Sequence, residues 1–237
     1  MQICDALGVG RGITSVIGAG GKSTLLQVLV QELSGSRVLT TTTRMLPIAG
    51  IELLLDPSEE ALRHALAARG AVCVGSPTSE AFGGVTKLAA PGLPLQTIAG
   101  LADHVLVEAD GSRRLPLKAH ADHEPVVPDG SQRTILILGA SGLGRPAGEV
   151  VHRAGPFCAL AHCGEKDMAT PQRVARALAA ERAVERARAD VIVVNQVDDA
   201  HGERATLARE LAAELRALGD QTPLYAGSIL HRRLERL

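Results

Sequence analysis

A chain of 237 residues is long enough for one large α/β domain, and 46% apolar against 22% charged residues is ordinary globular composition. With 25 basic and 26 acidic residues the formal net charge is −1, which argues against a nucleic-acid or anionic-membrane partner. Two Phe, one Tyr and no Trp exclude a base-stacking platform and an aromatic sugar site.

Taken in chain order, residues 13–18 predict a buried strand. A helix over about 22–33 follows, with Leu25, Leu26, Leu29, Val30 and Leu33 on one stripe. Residues 37–41 predict a second strand. Ser58 is placed as an N-cap, with Glu59 and Glu60 in the first turn and Leu62 and Leu66 on the buried side. Strands are expected at 71–75, 83–88, 104–107 and 134–138. Thr170-Pro171 opens a helix as N-cap and first residue, with Val174, Leu178 and Val184 facing inward. A buried strand at 191–194 leads to a helix over 203–218, with Leu207, Leu211, Leu215 and Leu218 on one stripe and Gly219 ending it. A short strand at 223–226 comes last. Alternating strands and helices predict an α/β fold with a mainly parallel sheet. The stretch from about 111 to 129 reads as a loop holding Pro116, Pro125 and Pro128, with Pro146 beyond it; irregular stretches of this length are functional more often than accidental.

No apolar run approaches the roughly 20 residues of a membrane span, and the start of the chain lacks a basic region followed by an apolar stretch, so no secretory signal is expected. Cys4, Cys73, Cys158 and Cys163 are irregularly spaced, as expected for reduced thiols; a metal site around Cys158, His162 and Cys163 is the other reading. Against 21 arginines there are four lysines, Lys22, Lys87, Lys118 and Lys166, which suggests Lys is kept where a compact ammonium is needed.

The strongest motif is Val16-Ile17-Gly18-Ala19-Gly20-Gly21-Lys22-Ser23-Thr24. A strand runs into glycines whose N–H groups can curl around phosphate, and the following helix start adds positive potential. Lys22 would reach the terminal phosphates and Ser23 would bind Mg²⁺. Gly18 and Gly21 enclose two residues where the usual Walker A form has four; the short form resembles the nucleotide loop of Mur-type amide ligases. A glycine turn that only packs helix on strand is the plain alternative. A dinucleotide fingerprint is a third, but Ser23 stands at its last glycine and the acid expected after the second strand is replaced by Thr40-Thr41-Thr42-Thr43-Arg44. That threonine run, with Thr42 foremost, offers hydroxyls to Mg²⁺ or its water; a capped strand end explains it equally.

Val105-Leu106-Val107-Glu108-Ala109-Asp110-Gly111 resembles a Walker B strand, with Glu108 or Asp110 holding Mg²⁺ or orienting a water. Val191-Ile192-Val193-Val194-Asn195-Gln196-Val197-Asp198 resembles the base-reading motif of GTP-binding proteins, with Gln196 where Lys is usual. Asn195 would brace the loop and Asp198 would accept from guanine; adenine and a plain strand end stay open. Ala226-Gly227-Ser228 is placed to back the base. Arg113, Arg114 and Lys118 are candidates for neutralising an anionic substrate, and His123 and Glu124 for acid–base work. Gly139-Ala140-Ser141-Gly142-Leu143-Gly144 shapes a pocket or only a turn.

Together, the loop at 18–24, the threonines at 40–43, Glu108-Ala109-Asp110-Gly111-Ser112, Pro116-Leu117-Lys118 and His123-Glu124-Pro125 resemble the YqeC family, described as accessory proteins of selenium-dependent molybdenum hydroxylases. The similarity extends over essentially the whole chain. It implies a cytoplasmic factor acting in maturation of the hydroxylase or its cofactor, with those maturation proteins as partners. The resulting expectation is a P-loop NTPase-like three-layer fold with a mainly parallel central sheet, one nucleotide-binding domain over 1–237. Gly18, Ala19, Gly20, Gly21, Lys22, Ser23, Thr24, Asn195 and Asp198 would bind ATP or GTP. Ser23, Thr42, Glu108 and Asp110 would hold Mg²⁺, and Lys22, Glu108, Asp110 and Lys118 would carry an NTPase or a phosphoryl or nucleotidyl transfer. The competing readings are a non-catalytic, nucleotide-gated chaperone for an apo-hydroxylase and an NAD(P)-binding oxidoreductase.

Overall fold

The computed structural model describes residues 2–237, which group into two compact units. The first takes residues 2–16, 23–111 and 126–134; the second takes 17–22, 112–125 and 135–237.

In chain order the first unit carries α1 (Ile3–Ala6), β1 (Gly12–Gly18, entering the second unit at residue 17), α2 (Lys22–Glu32), β2 (Arg37–Thr41), β3 (Arg44–Met45), β4 (Glu52–Leu55), α3 (Glu59–Arg69), β5 (Ala71–Phe82), β6 (Val85–Ala89), α4 (Leu95–Leu101) and β7 (His104–Glu108). β7 lies parallel between β1 and β2, and β5 lies parallel between β2 and β4. β6 runs antiparallel to β5 and carries the two-residue β3. Strands buried on both faces must be apolar throughout, and Val105, Leu106 and Val107 are fully buried. α2 presents Leu25, Leu26 and Leu29, all fully buried at helical spacing. α3 starts where Ser58 accepts the Ala61 N–H at 3.2 Å and stops where Gly70 turns left-handed at φ 71°.

The second unit carries β8 (Leu117–Lys118), β9 (Ser131–Gly139, its first residues in the other unit), a 3₁₀ turn at Ala140–Gly142, α5 (Ala147–Val150), β10 (Val151–His152), α6 (Ala154–Ala161), α7 (Pro171–Ala183), β11 (Val191–Asn195), α8 (Glu203–Ala217), β12 (Leu224–Ser228) and β13 (Arg233–Arg236). β11 lies parallel between β9 and β12, and β13 closes the edge antiparallel. β8 and β10 form a separate parallel ribbon that pairs Leu117 with Val151 and Lys118 with His152. Thr170 caps α7 by accepting the Arg173 N–H, with Pro171 in the first turn.

The expected α/β fold with a mainly parallel sheet is therefore what forms. Several details differ. β5 continues past residue 75 through Pro77 to Phe82, which edge pairing with β6 alone permits. Val184 and Leu218, expected inside, are exposed, because α7 ends at Ala183 and α8 at Ala217 before the stripe reaches them. No helix among the described residues is long and apolar enough to cross a membrane.

Candidate functional site

The loop after β1 is shaped by left-handed glycines. Gly18 and Gly20 have φ of 89° and 90°, where an L side chain is strained. A Cβ on Gly20 would also lie 2.8 Å from the Pro116 carbonyl oxygen, so the backbone there passes close to the residues leading into β8. The Ala19 N–H donates to the Ile137 carbonyl of β9 at 2.8 Å. Lys22 opens α2. It is only 4% exposed, and its Nζ folds back to donate to the Gly18 carbonyl at 2.7 Å. Ser23 is exposed and Thr24 half-buried.

Asn195 ends β11 and is buried. Its Nδ2 donates to the Gly20 carbonyl at 2.8 Å, and its Oδ1 accepts the Ile229 N–H at 2.9 Å. One amide thus joins the glycine loop to the segment after β12. Gln196 turns left-handed at φ 68°. Its Oε1 accepts the Ser141 hydroxyl at 2.6 Å, which fixes the glycine turn after β9. Asp198 is half-exposed. The Ser228 hydroxyl first and His231 second hold its carboxyl below the ordinary range, with His231 Nδ1 3.4 Å away.

Glu108 is the last residue of β7, level with Val16 of β1 and Thr41 of β2. It is 8% exposed, and Asp110, two residues on, is fully buried. The threonines are sewn to this strand end. The Thr41 hydroxyl donates to the Glu108 carbonyl at 2.7 Å and the Thr42 N–H to the same oxygen at 3.2 Å. The Thr42 hydroxyl donates to the Val126 carbonyl at 2.6 Å, and Thr40 is buried within β2. Ser23, Thr42, Glu108 and Asp110 all fall in the first unit.

The ionisable stretch after residue 112 sorts into an exposed rim and a buried knot. Arg113, Arg114 and His123 are exposed. Lys118, its side chain 1% exposed, donates to Glu124 Oε2 at 3.2 Å, and Arg153 Nε donates to the same oxygen at 3.0 Å. Burial would raise the Glu124 carboxyl, but the Arg153 hydrogen bond and the Lys118 charge outweigh it and bring it to about 2. Burial, with Lys118 and Arg153 nearby, lowers His152 to about 4. Next to this knot the His120 N–H and Nδ1 meet the Glu181 carboxylate at 2.5 and 3.1 Å. His152, Arg153 and Glu181 escape a reading of motifs. The one sequence signal was the density of ionisable residues at 113–124, which marks the loop but not its partners. Burial and the Cys163 thiol push the Cys158 thiol up to about 11.

The profile of the family described as YqeC protein matches residues 14–155. The "Uncharacterized protein YqeC" of Escherichia coli (strain K12) is 37% identical over an alignment of 157 residues that covers 61% of this chain and 59% of that protein. The match therefore spans less than two thirds of the relative's length. Among solved structures, FlhF complexed with GMPPNP/Mg²⁺ aligns over 99% of this chain and 76% of its own at 12% identity and a TM-score of 0.41. The glycine loop, the threonine run, Glu108, Asp110, Lys118 and Glu124 all fall within the profile match, whereas Asn195 and Asp198 lie beyond it. Since the profile covers well over half of the residues, the chain belongs to the YqeC family.

Proposed function

We propose that this protein binds a purine nucleoside triphosphate with Mg²⁺ and uses it, by hydrolysis or by phosphoryl or nucleotidyl transfer, as an accessory factor in maturation of a selenium-dependent molybdenum hydroxylase. The observation that carries the nucleotide reading is the brace at Asn195. A buried amide that fixes both Gly20 and Ile229 is what a glycine loop needs if its N–H groups are to meet phosphate in one geometry. Family membership supports the accessory role.

The residues fit the two groups. A side chain at Gly20 would run into the backbone of Gly139 and Pro116, so the loop must be glycine there and is held in one shape. The Ser23 and Thr42 hydroxyls with the Glu108 and Asp110 carboxylates are all hard oxygen donors, the set Mg²⁺ prefers. Bound Mg²⁺ would supply charge neutralisation at the phosphoryl oxygens. Lys22 is tethered to Gly18 and would exchange that carbonyl for phosphate oxygens. Asp198, held ionised by Ser228 and His231, would accept from guanine N1–H and the 2-amino group, donors that adenine lacks. GTP is therefore the preferred base form in this reading.

A thermal-shift panel of ATP, GTP and XTP, with and without Mg²⁺, tests this. A ligand at 100 times its Kd stabilises by about 2.7 kcal/mol. The wild type should respond most to GTP with Mg²⁺, Lys22→Ala should lose every triphosphate response while remaining folded, and Asp198→Asn should favour XTP. Equal triphosphate shifts in wild type and Lys22→Ala would remove the phosphate-loop assignment.

A further inference from the structure

The knot around Glu124 gathers two cations on one carboxylate. Arg113, Lys118 and Arg153 all disfavour a proton on the His152 ring, and Glu124 favours one. Moreover, one oxygen of Glu124 takes nearly all of what the cluster gives: Lys118 Nζ, Arg153 Nε and, at 3.4 Å, the Ala121 N–H all converge on Oε2. Arg153 uses only Nε in this way. Its two terminal nitrogens make no hydrogen bond among the described residues, and its side chain is 31% exposed. The guanidinium thus has a buried edge held by Glu124 and an open edge facing out. Arg113 makes no ion pair among the described residues and is exposed. The half-buried His152 ring has no hydrogen-bond partner there either.

The fold keeps these groups in place. β8 and β10 pair Lys118 with His152, so the first lysine of the loop and the histidine before Arg153 share one register level. Arg153 is left-handed at φ 65°, a conformation uncommon for a residue with a Cβ and sustained only where the surroundings enforce it. Gly18 and Lys118 line the same small cavity, together with His120 and Glu181, so this cluster neighbours the start of the glycine loop within the second unit.

We propose that Arg113, Lys118, His152 and Arg153 form a binding site for a doubly charged tetrahedral oxyanion, a phosphate or sulfate-like group carried by the second substrate. The open guanidinium edge of Arg153 gives two parallel N–H donors, the arrangement that suits two oxygens of one anion. Lys118 is too deeply buried to follow a ligand outward and acts as the fixed charge beneath. Arg113, on the exposed loop, closes over the top. A neutral His152 offers one ring N–H. As an anion site this stands by itself; as the seat of the co-substrate it rests on the nucleotide reading above.

His152 is a reporter inside the site, so its ring resonances test the assignment in the full-length protein. Sulfate is the probe, because it stays a dianion through the acid range. In nucleotide-free wild type, saturating sodium sulfate should raise the His152 midpoint above its value of about 4 by one unit or more relative to chloride at equal ionic strength. Arg153→Gln and Arg113→Gln should each weaken the apparent sulfate affinity at least tenfold. The second variant changes an exposed side chain, so a fold defect cannot imitate its effect. Lys22→Ala should keep the sulfate response while losing the triphosphate response, which separates failure of this site from failure of the phosphate loop. A His152 midpoint that sulfate leaves unmoved in wild type overturns the proposal, as does an unchanged sulfate response in both Arg variants. A response to a non-hydrolysable triphosphate alone, absent in Lys22→Ala, would assign the cluster to the nucleotide's own terminal phosphate and equally overturn it.

Discussion

Asn195 shows how much one buried amide can fix. Its two ends serve opposite needs, since Nδ2 donates to Gly20 and Oδ1 accepts from Ile229. Asn195→Asp keeps the size and the acceptor but replaces the donor, so an oxygen would face the Gly20 carbonyl. A buried group left in that position costs about 1–3 kcal/mol, more when charged. The expected result is a drop of that size in guanidinium unfolding free energy, together with loss of the triphosphate response; an unchanged midpoint would mean the brace is idle. Asn195 was legible in the sequence because it ends an apolar strand within a short motif. The contact of its neighbour Gln196 with Ser141 was not, since those residues lie far apart in the chain and meet only once β9 and β11 pair. The depth of Lys22 was not legible either. A lysine at a helix start reads as solvated, and only the left-handed turn at Gly18 brings a carbonyl within its reach.

Among elements, the β8–β10 ribbon carries the largest pH consequence. His152 is held neutral at about 4 against an ordinary 6.5, so the unfolded chain takes up this proton first as pH falls. The associated stability is present above 6.5 and is lost between 6.5 and 4. Glu124 is held ionised to about 2 against an ordinary 4.5, so its contribution is present above 4.5 and is lost as pH falls towards 2. Each shift corresponds to a ceiling on the order of 3 kcal/mol, and the true value for His152 is smaller because its ring is partly solvated. Urea unfolding from pH 7 to 3 should show stability declining in two overlapping stages, with His152→Gln flattening the upper one and Glu124→Gln the lower. A pH-independent stability across that range would contradict both.

Elements with strong local signals were readable: β1, α2 and β2 from their apolar periods, α3 and α7 from Ser58 and Thr170-Pro171. The ribbon itself was not. Two-residue strands have no period, and Leu117–Lys118 becomes a strand only because Val151–His152 lies alongside. β4, α4 and α6 are likewise too short to outweigh the surrounding turn residues. The long β5 was cut short by Pro77, a residue that forbids a central strand and is harmless against a single antiparallel neighbour.

Across the whole molecule, each compact unit is assembled from three separate stretches of chain. Residues 135–237 alone lack Leu117–Lys118, the ladder partner of β10, and lack the Gly18 backbone against which Ile137 packs. Expressed by itself, this segment should be largely unstructured by far-UV circular dichroism and should gain structure when mixed with residues 1–134. A well-folded isolated segment would show that the interleaving is dispensable. The order in which a ribosome delivers the chain follows from the same layout. Everything the first unit needs has been synthesised by residue 134, whereas the second waits for the 103 residues of 135–237. At about 5–20 residues per second that interval lasts roughly 5–20 s. For more than half of it, the nascent glycine loop at 17–22 is flanked at both ends by residues of a unit already able to fold, yet lacks Asn195, the side chain that braces it. The residues with the most exacting backbone are thus among the first made and the last to settle, and on the proposed nucleotide reading a triphosphate is captured only once Asn195 has been made.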